Sequence, residues 1–232
     1  MKLLAFDTST EQLSVAVQRD ERIWEHFGAG GPQSSAALIP AALDLLAQAG
    51  LAAGELDAIV FARGPGSFTG LRTACSVAQG LAFGAGVPVL PVDTLLAVAE
   101  AARMQRGATQ VLALLDARMG EVYSAAYTWG EAALGGWSVS SEVSVGKPED
   151  LRLPGGSGWV LAGNAQANYG ERFPSELNSL PYVAALPSAA ALLSLAPALL
   201  AGGGAVSAAQ ALPLYIRDKV AQTTAERAAL AR

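Results

Sequence analysis

Leu3 to Phe6 is a short unbroken apolar run, which predicts a buried strand, and it stops at the polar turn segment Asp7-Thr8-Ser9-Thr10-Glu11. Leu13, Val15 and Val17 then alternate with Ser14, Ala16 and Gln18, the period of two that marks a half-buried strand. Arg22 to Phe27 predicts a third strand, and Gly28-Ala29-Gly30-Gly31-Pro32 a loop. From Ser34 the spacing becomes helical, with Leu38, Ala42, Leu45, Leu46 and Ala49 on one face and Gly50 closing the helix. Leu56 to Phe61 predicts a strand, Gly64-Pro65-Gly66 a tight turn, and Ser67 the N-cap of a helix running to about Phe83. Val87 to Val92 predicts another strand. Asp93-Thr94 then caps a helix through about Gln105.

Three strands, a helix, a strand, a helix, a strand and a helix make an informative order. The first three strands can form an antiparallel meander, whereas the later ones need helical crossovers and are expected to run parallel. That is the pattern of a ribonuclease-H-like lobe, the half-molecule of actin and sugar kinases. A second, weaker copy starts at Val111. It has strands at Val111 to Leu115, Glu121 to Tyr127 and Trp137 to Val143, and a helix from Ser188 to Ala201. The expected fold class is therefore α/β, with mixed sheets flanked by helices. The polar stretch Arg103-Met104-Gln105-Arg106-Gly107 suggests a boundary. The expected organisation is a first lobe over 1–106, a second over 107–212, and a segment over 213–232 that returns to the first lobe.

Charge changes the picture of function. Of the 232 residues only 15% are charged, and 20 acidic against 15 basic side chains leave a net charge of −5. Nucleic acid is held by clustered Lys and Arg, so a role as a stand-alone nucleic-acid binder is not expected. A single cysteine, Cys75, excludes an internal disulfide and suits a reducing compartment, and a single histidine, His26, excludes any site needing two imidazoles. Two long stretches without charge, Thr73 to Val92 and Leu177 to Ile216, are broken by Gly80, Gly84, Pro88, Pro91, Pro181, Pro187 and Pro197. No membrane span and no signal peptide are expected, and the location expected is cytoplasmic.

Candidate chemistry is sparse. Asp7-Thr8-Ser9-Thr10 follows a strand and precedes another, as do the turns that present N–H groups and hydroxyls to nucleotide phosphates in actin-like ATPases while the acid helps to position Mg²⁺. A plain β-turn satisfied by its own Asp and Ser is the alternative. Arg63-Gly64-Pro65-Gly66-Ser67-Phe68-Thr69-Gly70-Leu71-Arg72 combines glycines able to take positive φ with a helix N-terminus, an arrangement that seats anions. A well-capped strand-to-helix turn explains it equally. Asp7, Ser9, Gly64, Gly66 and Ser67 are thus candidate nucleotide or anion ligands. Asp116-Ala117-Arg118 ends a strand, where it either binds a polar ligand or closes a local ion pair. No catalytic residue and no metal site are expected. His26 lacks a designated carboxylate, and Cys75 reads as a small core residue. The helices at Ser34 to Ala49 and Ser67 to Phe83 carry only Asp44 and Arg72 as charges. Such faces either reflect an alanine-rich composition or are covered by another chain, which makes Ser34, Leu38, Leu45, Leu71, Ala74, Val77, Ala78 and Leu81 the candidate partner residues.

Taken together, Asp7-Thr8-Ser9-Thr10 with Leu13-Ser14-Val15-Ala16-Val17, Arg63 to Arg72, and Asp116-Ala117-Arg118-Met119-Gly120-Glu121-Val122-Tyr123 resemble the TsaB (YeaZ) family. Pro213-Leu214-Tyr215-Ile216-Arg217 is similar to that family's Tyr-hydrophobic-Arg segment. The resemblance implies an actin-like (ASKHA) fold and a part in making N6-threonylcarbamoyladenosine at position 37 of tRNAs that read codons starting with A. It implies a non-catalytic subunit, paired through the helices of its first lobe with the homologous catalytic subunit TsaD, which binds metal through histidines. The small ATPase TsaE joins the pair, tRNA is met mainly through the complex, and self-association uses the same surface. No cofactor is firmly implied. ATP or ADP binding would be weak and at or near the partner interface, since the catalytic partner keeps the better site. Ser34 stands where family members often have a His, which weakens any metal role. A stand-alone actin-like ATPase or sugar-kinase-type phosphotransferase is the alternative function.

Overall fold

In the computed structural model, residues 1–130 and 136–217 are described. Among these residues, ten strands fall into two five-stranded sheets. The first half supplies β1 (Lys2–Asp7), β2 (Gln12–Arg19), β3 (Arg22–Ala29), β4 (Ala58–Gly64) and β5 (Val89–Asp93), with α1 (Ser34–Ala49), α2 (Phe68–Ala85) and α3 (Thr94–Arg106) between and after them. The second half supplies β6 (Gln110–Arg118), β7 (Glu121–Trp129), β8 (Trp137–Gly146), β9 (Val160–Gly163), the short α4 (Ala165–Tyr169) and α5 (Ser175–Asn178), β10 (Tyr182–Val183) and α6 (Ala189–Ala201).

The first sheet has the order β3-β2-β1-β4-β5 and the second β8-β7-β6-β9-β10, which is the same order repeated. In each, the first three strands are antiparallel and the last two join in parallel. This is the two-lobed actin-like architecture expected from the pattern of elements.

The period of two along the central strands sorts side chains by size. Leu3, Ala5, Ala58, Val60, Ala62, Val111 and Ala113 face the space between the sheets, while Leu4, Phe6, Ile59 and Phe61 face outward beneath α1 and α2, and Leu112 and Leu114 face outward in the second lobe. Alanines on the inner faces let helices approach closely. Two helices, α3 and α6, fill that inner layer. The sequence pattern places α6 within the second copy, but it packs on β1, β2, β4 and β5 of the first sheet, while α3 of the first half packs on β6, β7 and β9 of the second as well as on β4 and β5 of its own. The pattern shows that a helix exists and which stripe is apolar. It does not show which of two similar sheets that stripe covers.

After α6 the chain turns back along the first lobe. Val206 bridges to Val89 in an isolated antiparallel pair, Cys75 Sγ and Gln79 Nε2 donate to the Ala211 carbonyl, and Leu214 N donates to the Arg63 carbonyl at 2.7 Å. Arg217 then reaches the second lobe, donating to the Ala117 carbonyl and to Glu121. Residues 206–217 therefore tie one lobe to the other. Residues 218–232, most of the segment expected to return, lie outside the described residues.

Candidate functional site

The two lobes enclose a cleft of about 480 Å³. Its walls come from the β1–β2 turn (Ser9, Thr10, Glu11), the start of α2 (Gly66, Ser67, Phe68, Leu71), the end of β6 (Leu115 to Met119) with Tyr123 and Asn164, and the returning segment Leu214 to Arg217.

Of the five candidate ligands, Ser9, Gly66 and Ser67 line this cleft, whereas Asp7 and Gly64 do not. Asp7 ends β1 with its side chain sealed from solvent. One oxygen accepts from Ser9 N at 3.2 Å and the other has no partner. Burial pushes its carboxyl up to about 7, against the lowering influence of the Ser9 hydroxyl and N–H. Ser9 Oγ lies beside that carboxylate, buried and without a closed hydrogen bond. A carboxylate withheld from the cleft cannot reach a cation held there.

The glycines also prove to have a different role from the expected one. Of the three in this turn, only Gly64 has positive φ, 125°, and a Cβ there would sit 2.5 Å from the Leu214 carbonyl. At Gly66 a Cβ would meet Ser9 at 2.7 Å, and at Gly70 it would meet the Thr8 carbonyl at 1.8 Å. Thr8 Oγ1 donates to the Gly70 carbonyl and Ser67 N to the Ser9 carbonyl. The missing side chains let the two turns lock together, so the Gly66 surface is already occupied by protein. Ser67 is the N-cap as expected, its hydroxyl accepting from Gly70 N. Asp93 is not a side-chain cap; its carboxylate pairs with Arg63 at 2.6 Å.

Charges around the cleft are paired internally. Glu11 accepts from Asn164 Nδ2 across the lobes, at 3.2 Å for one oxygen. Asp116 accepts from Tyr169 Oη, Asn168 Nδ2 and Arg118, and Arg217 pairs with Glu121. The local-ion-pair reading of Asp116-Ala117-Arg118 thus holds, although both end residues also line the cleft. The phosphate-and-Mg²⁺ arrangement of actin-like ATPases does not fit these residues: the acid is buried, the glycine turn is filled, and the lining basic residues are paired.

The expected partner residues need a correction. Ser34, Leu38, Leu45, Leu71, Ala74 and Ala78 are buried in the chain's own interior, and only Val77 and Leu81 are partly exposed. Their helical spacing follows the sheet beneath them. The opposite faces are uncovered: Ser35, Ala36, Ile39 and Leu43 on α1, and Arg72, Ser76, Gly80 and Phe83 on α2. Phe83 is 86% exposed. Neither helix lies under the second lobe; a groove of about 450 Å³ opens between them, lined by Ser35, Phe68, Thr69, Arg72, Thr73, Ser76 and Val77. At its end Arg72 lies 3.8 Å from the Phe68 ring centroid and donates to Tyr215 Oη at 3.0 Å. Periodicity misses Phe68 and Tyr215, because a single aromatic at a helix start or in a coil leaves no periodic signal. His26 is exposed on β3, and Cys75 is buried as a core residue. Among the described residues, no three His, Cys, Asp or Glu side chains form a group able to hold a metal, and no helix is long and apolar enough to cross a membrane.

Comparison with known proteins adds the last observation. Residues 30–225 match the family model described as "TsaD: tRNA N6-adenosine threonylcarbamoyltransferase". The tRNA threonylcarbamoyladenosine biosynthesis protein TsaB of Escherichia coli is 38% identical over 227 residues, covering 95% of this chain and 96% of that protein. TsaB of Haemophilus influenzae is 34% identical, covering 95% of each. The solved structure of YeaZ from Pseudomonas aeruginosa superposes with a TM-score of 0.85 at 41% identity, covering 92% of this chain and 99% of that one.

Proposed function

The chain belongs to the TsaB (YeaZ) family of tRNA threonylcarbamoyladenosine biosynthesis proteins, and from that premise we propose that it is a non-catalytic subunit paired with TsaD. In this reading it acts in the cytoplasm, meets TsaE and tRNA through the complex, and self-associates when its partner is missing.

The observation that carries the pairing is the uncovered outer face of α1 and α2. Two adjacent helices of 16 and 18 residues carry only Asp44 and Arg72 as charges, and expose Ile39, Leu43 and Phe83. Depletion of charge with aromatic and Arg enrichment is the composition of an interface core. Small residues such as Ala36, Ser76 and Gly80 permit close helix approach. The non-catalytic assignment is supported by the single histidine, which cannot supply a multi-histidine metal site, and by the poor fit of the cleft to a magnesium nucleotide. These same features disfavour the stand-alone ATPase or phosphotransferase.

The test is nucleoside mass spectrometry of tRNA from cells depleted of this chain. Threonylcarbamoyladenosine is expected to fall and to return on expression of wild type, and to stay low with a Phe83→Asp variant that no longer co-elutes with TsaD. An unchanged level on depletion would overturn the functional reading.

A further inference from the structure

Arg72 is the only charged residue of α2, and the groove between α1 and α2 that it lines holds no other charge. Its guanidinium is held from two sides. The central carbon lies 3.8 Å from the Phe68 ring centroid, and Nε donates to Tyr215 Oη at 3.0 Å. Stacking on a face and a hydrogen bond at an edge hold a long side chain in place before any binding, so less freedom is lost when it is used. Yet Arg72 forms no ion pair among the described residues, and neither Nη group has a protein partner there, whereas Arg63, Arg103, Arg118, Arg172 and Arg217 each meet a carboxylate. Asp44, the one charge on α1, accepts from Gln48 of its own helix.

In the isolated chain the Arg72 side chain is exposed, and a solvated cation costs little. A partner laid across α1 and α2 strips water from it and leaves a covered charge that only an anion can offset. A phosphate of RNA carries the right sign, but phosphate backbones are met by clustered cations, and the rest of this groove is uncharged in a chain of net charge −5. A single fixed planar fork suits a single carboxylate, taken through two parallel N–H···O bonds. We propose that Arg72, preset by Phe68 and Tyr215, is the anchor that receives one Asp or Glu side chain of TsaD when the two chains dock. This rests on the pairing with TsaD proposed above and assigns the polar contact that the pairing needs.

Calorimetric titration of the full chain and its variants with TsaD tests the proposal. Arg72→Ala is expected to weaken the pairing about thirtyfold or more, as loss of one member of a covered ion pair does. Arg72→Lys keeps the charge but loses the fork, and is expected to bind about tenfold more weakly. Tyr215→Phe keeps the ring, removes the Nε acceptor, and is expected to cost about threefold. Thermal unfolding curves establish that each variant is folded. A carbodiimide joins an amine to a carboxylate in direct contact. Applied to the complex of TsaD with the Arg72→Lys chain, it is expected to link position 72 to an Asp or Glu of TsaD, read by peptide mass spectrometry. Wild-type affinity in a folded Arg72→Ala chain, with Phe83→Asp still disrupting the pairing, would overturn the anchor and leave the pairing standing. Wild-type affinity in both would overturn the two together. A link from position 72 to this chain's own acids, or none to TsaD in a complex that still forms, would also overturn the anchor. So would an Arg72→Ala chain that binds TsaD normally and loses only affinity for tRNA in the complex, which would assign Arg72 to a phosphate.

Discussion

Asp7 shows how far a residue's chemistry can differ from what its type suggests. An acid in a turn after a strand suggests a cation ligand, but here burial raises its carboxyl to about 7. Because the folded value lies above the unfolded one, near 3.8, the unfolded chain releases its proton first as pH rises, and the group destabilises the fold progressively from about pH 4 to pH 7. Stability should therefore be greater at pH 5 than at pH 7.5 as far as this group is concerned. The full effect from low to high pH is at most about 4 kcal/mol, from roughly three pKa units at 1.36 kcal/mol each, and roughly 2–3 kcal/mol of it falls between pH 5 and pH 7.5. Asp7→Asn should flatten that slope, which thermal melts at the two pH values will measure. Gly70 supplies a second prediction. With the Thr8 carbonyl 1.8 Å from where a Cβ would stand, Gly70→Ala should cost about 4 kcal/mol or more in denaturant unfolding. The sequence identifies both positions as special but not why. A buried carboxyl and a backbone contact between turns 62 residues apart depend on the third dimension, and neither leaves a local pattern.

At the scale of the element, α1 and α2 are almost fully legible. The apolar stripe, the Ser67 cap and the Gly50 terminus, where φ is 62°, all follow from spacing and turn chemistry. What spacing cannot assign is the partner side, because the leucines that dominate the periodicity are the ones packed on the sheet. The face left for a partner is marked by what it lacks, namely charge. A Cβ added at Gly80 would have no neighbouring atom within 4 Å, so Gly80→Ala should stabilise the isolated chain by about 1 kcal/mol, since glycine is a poor helix former. The same change should weaken co-elution with TsaD where two helices approach closely. Phe83→Asp should weaken it more, by about 2 kcal/mol or roughly thirtyfold, with an unchanged unfolding curve. Leu71→Glu, whose site is 2% exposed, should instead unfold the chain.

Across the whole molecule, Glu100 on α3 is the polar junction between the halves. It is buried, and it accepts from Arg103, from Trp137 Nε1 of β8 and from Ser194 Oγ of α6. Burial pushes its carboxyl up, but those donors more than offset it, and the net shift is downward. Its stabilising contribution is thus present above the ordinary carboxylate range and is lost as pH falls through the lowered value, the opposite sign to Asp7. Glu100→Ala should destabilise by about 3 kcal/mol, leaving donors from both halves unpaired, and the fluorescence of Trp137 should shift with it. The sequence makes each lobe readable as a repeat, yet no repeat announces that its third helix serves its neighbour. The traded helices have a further consequence for how such a gene can be rearranged. A chain severed at Gly107 leaves the leading fragment's sheet bare where α6 should lie, and the trailing fragment's sheet bare where α3 should lie. Neither piece can be inherited, borrowed or expressed as a module of its own; the two halves persist only as a pair.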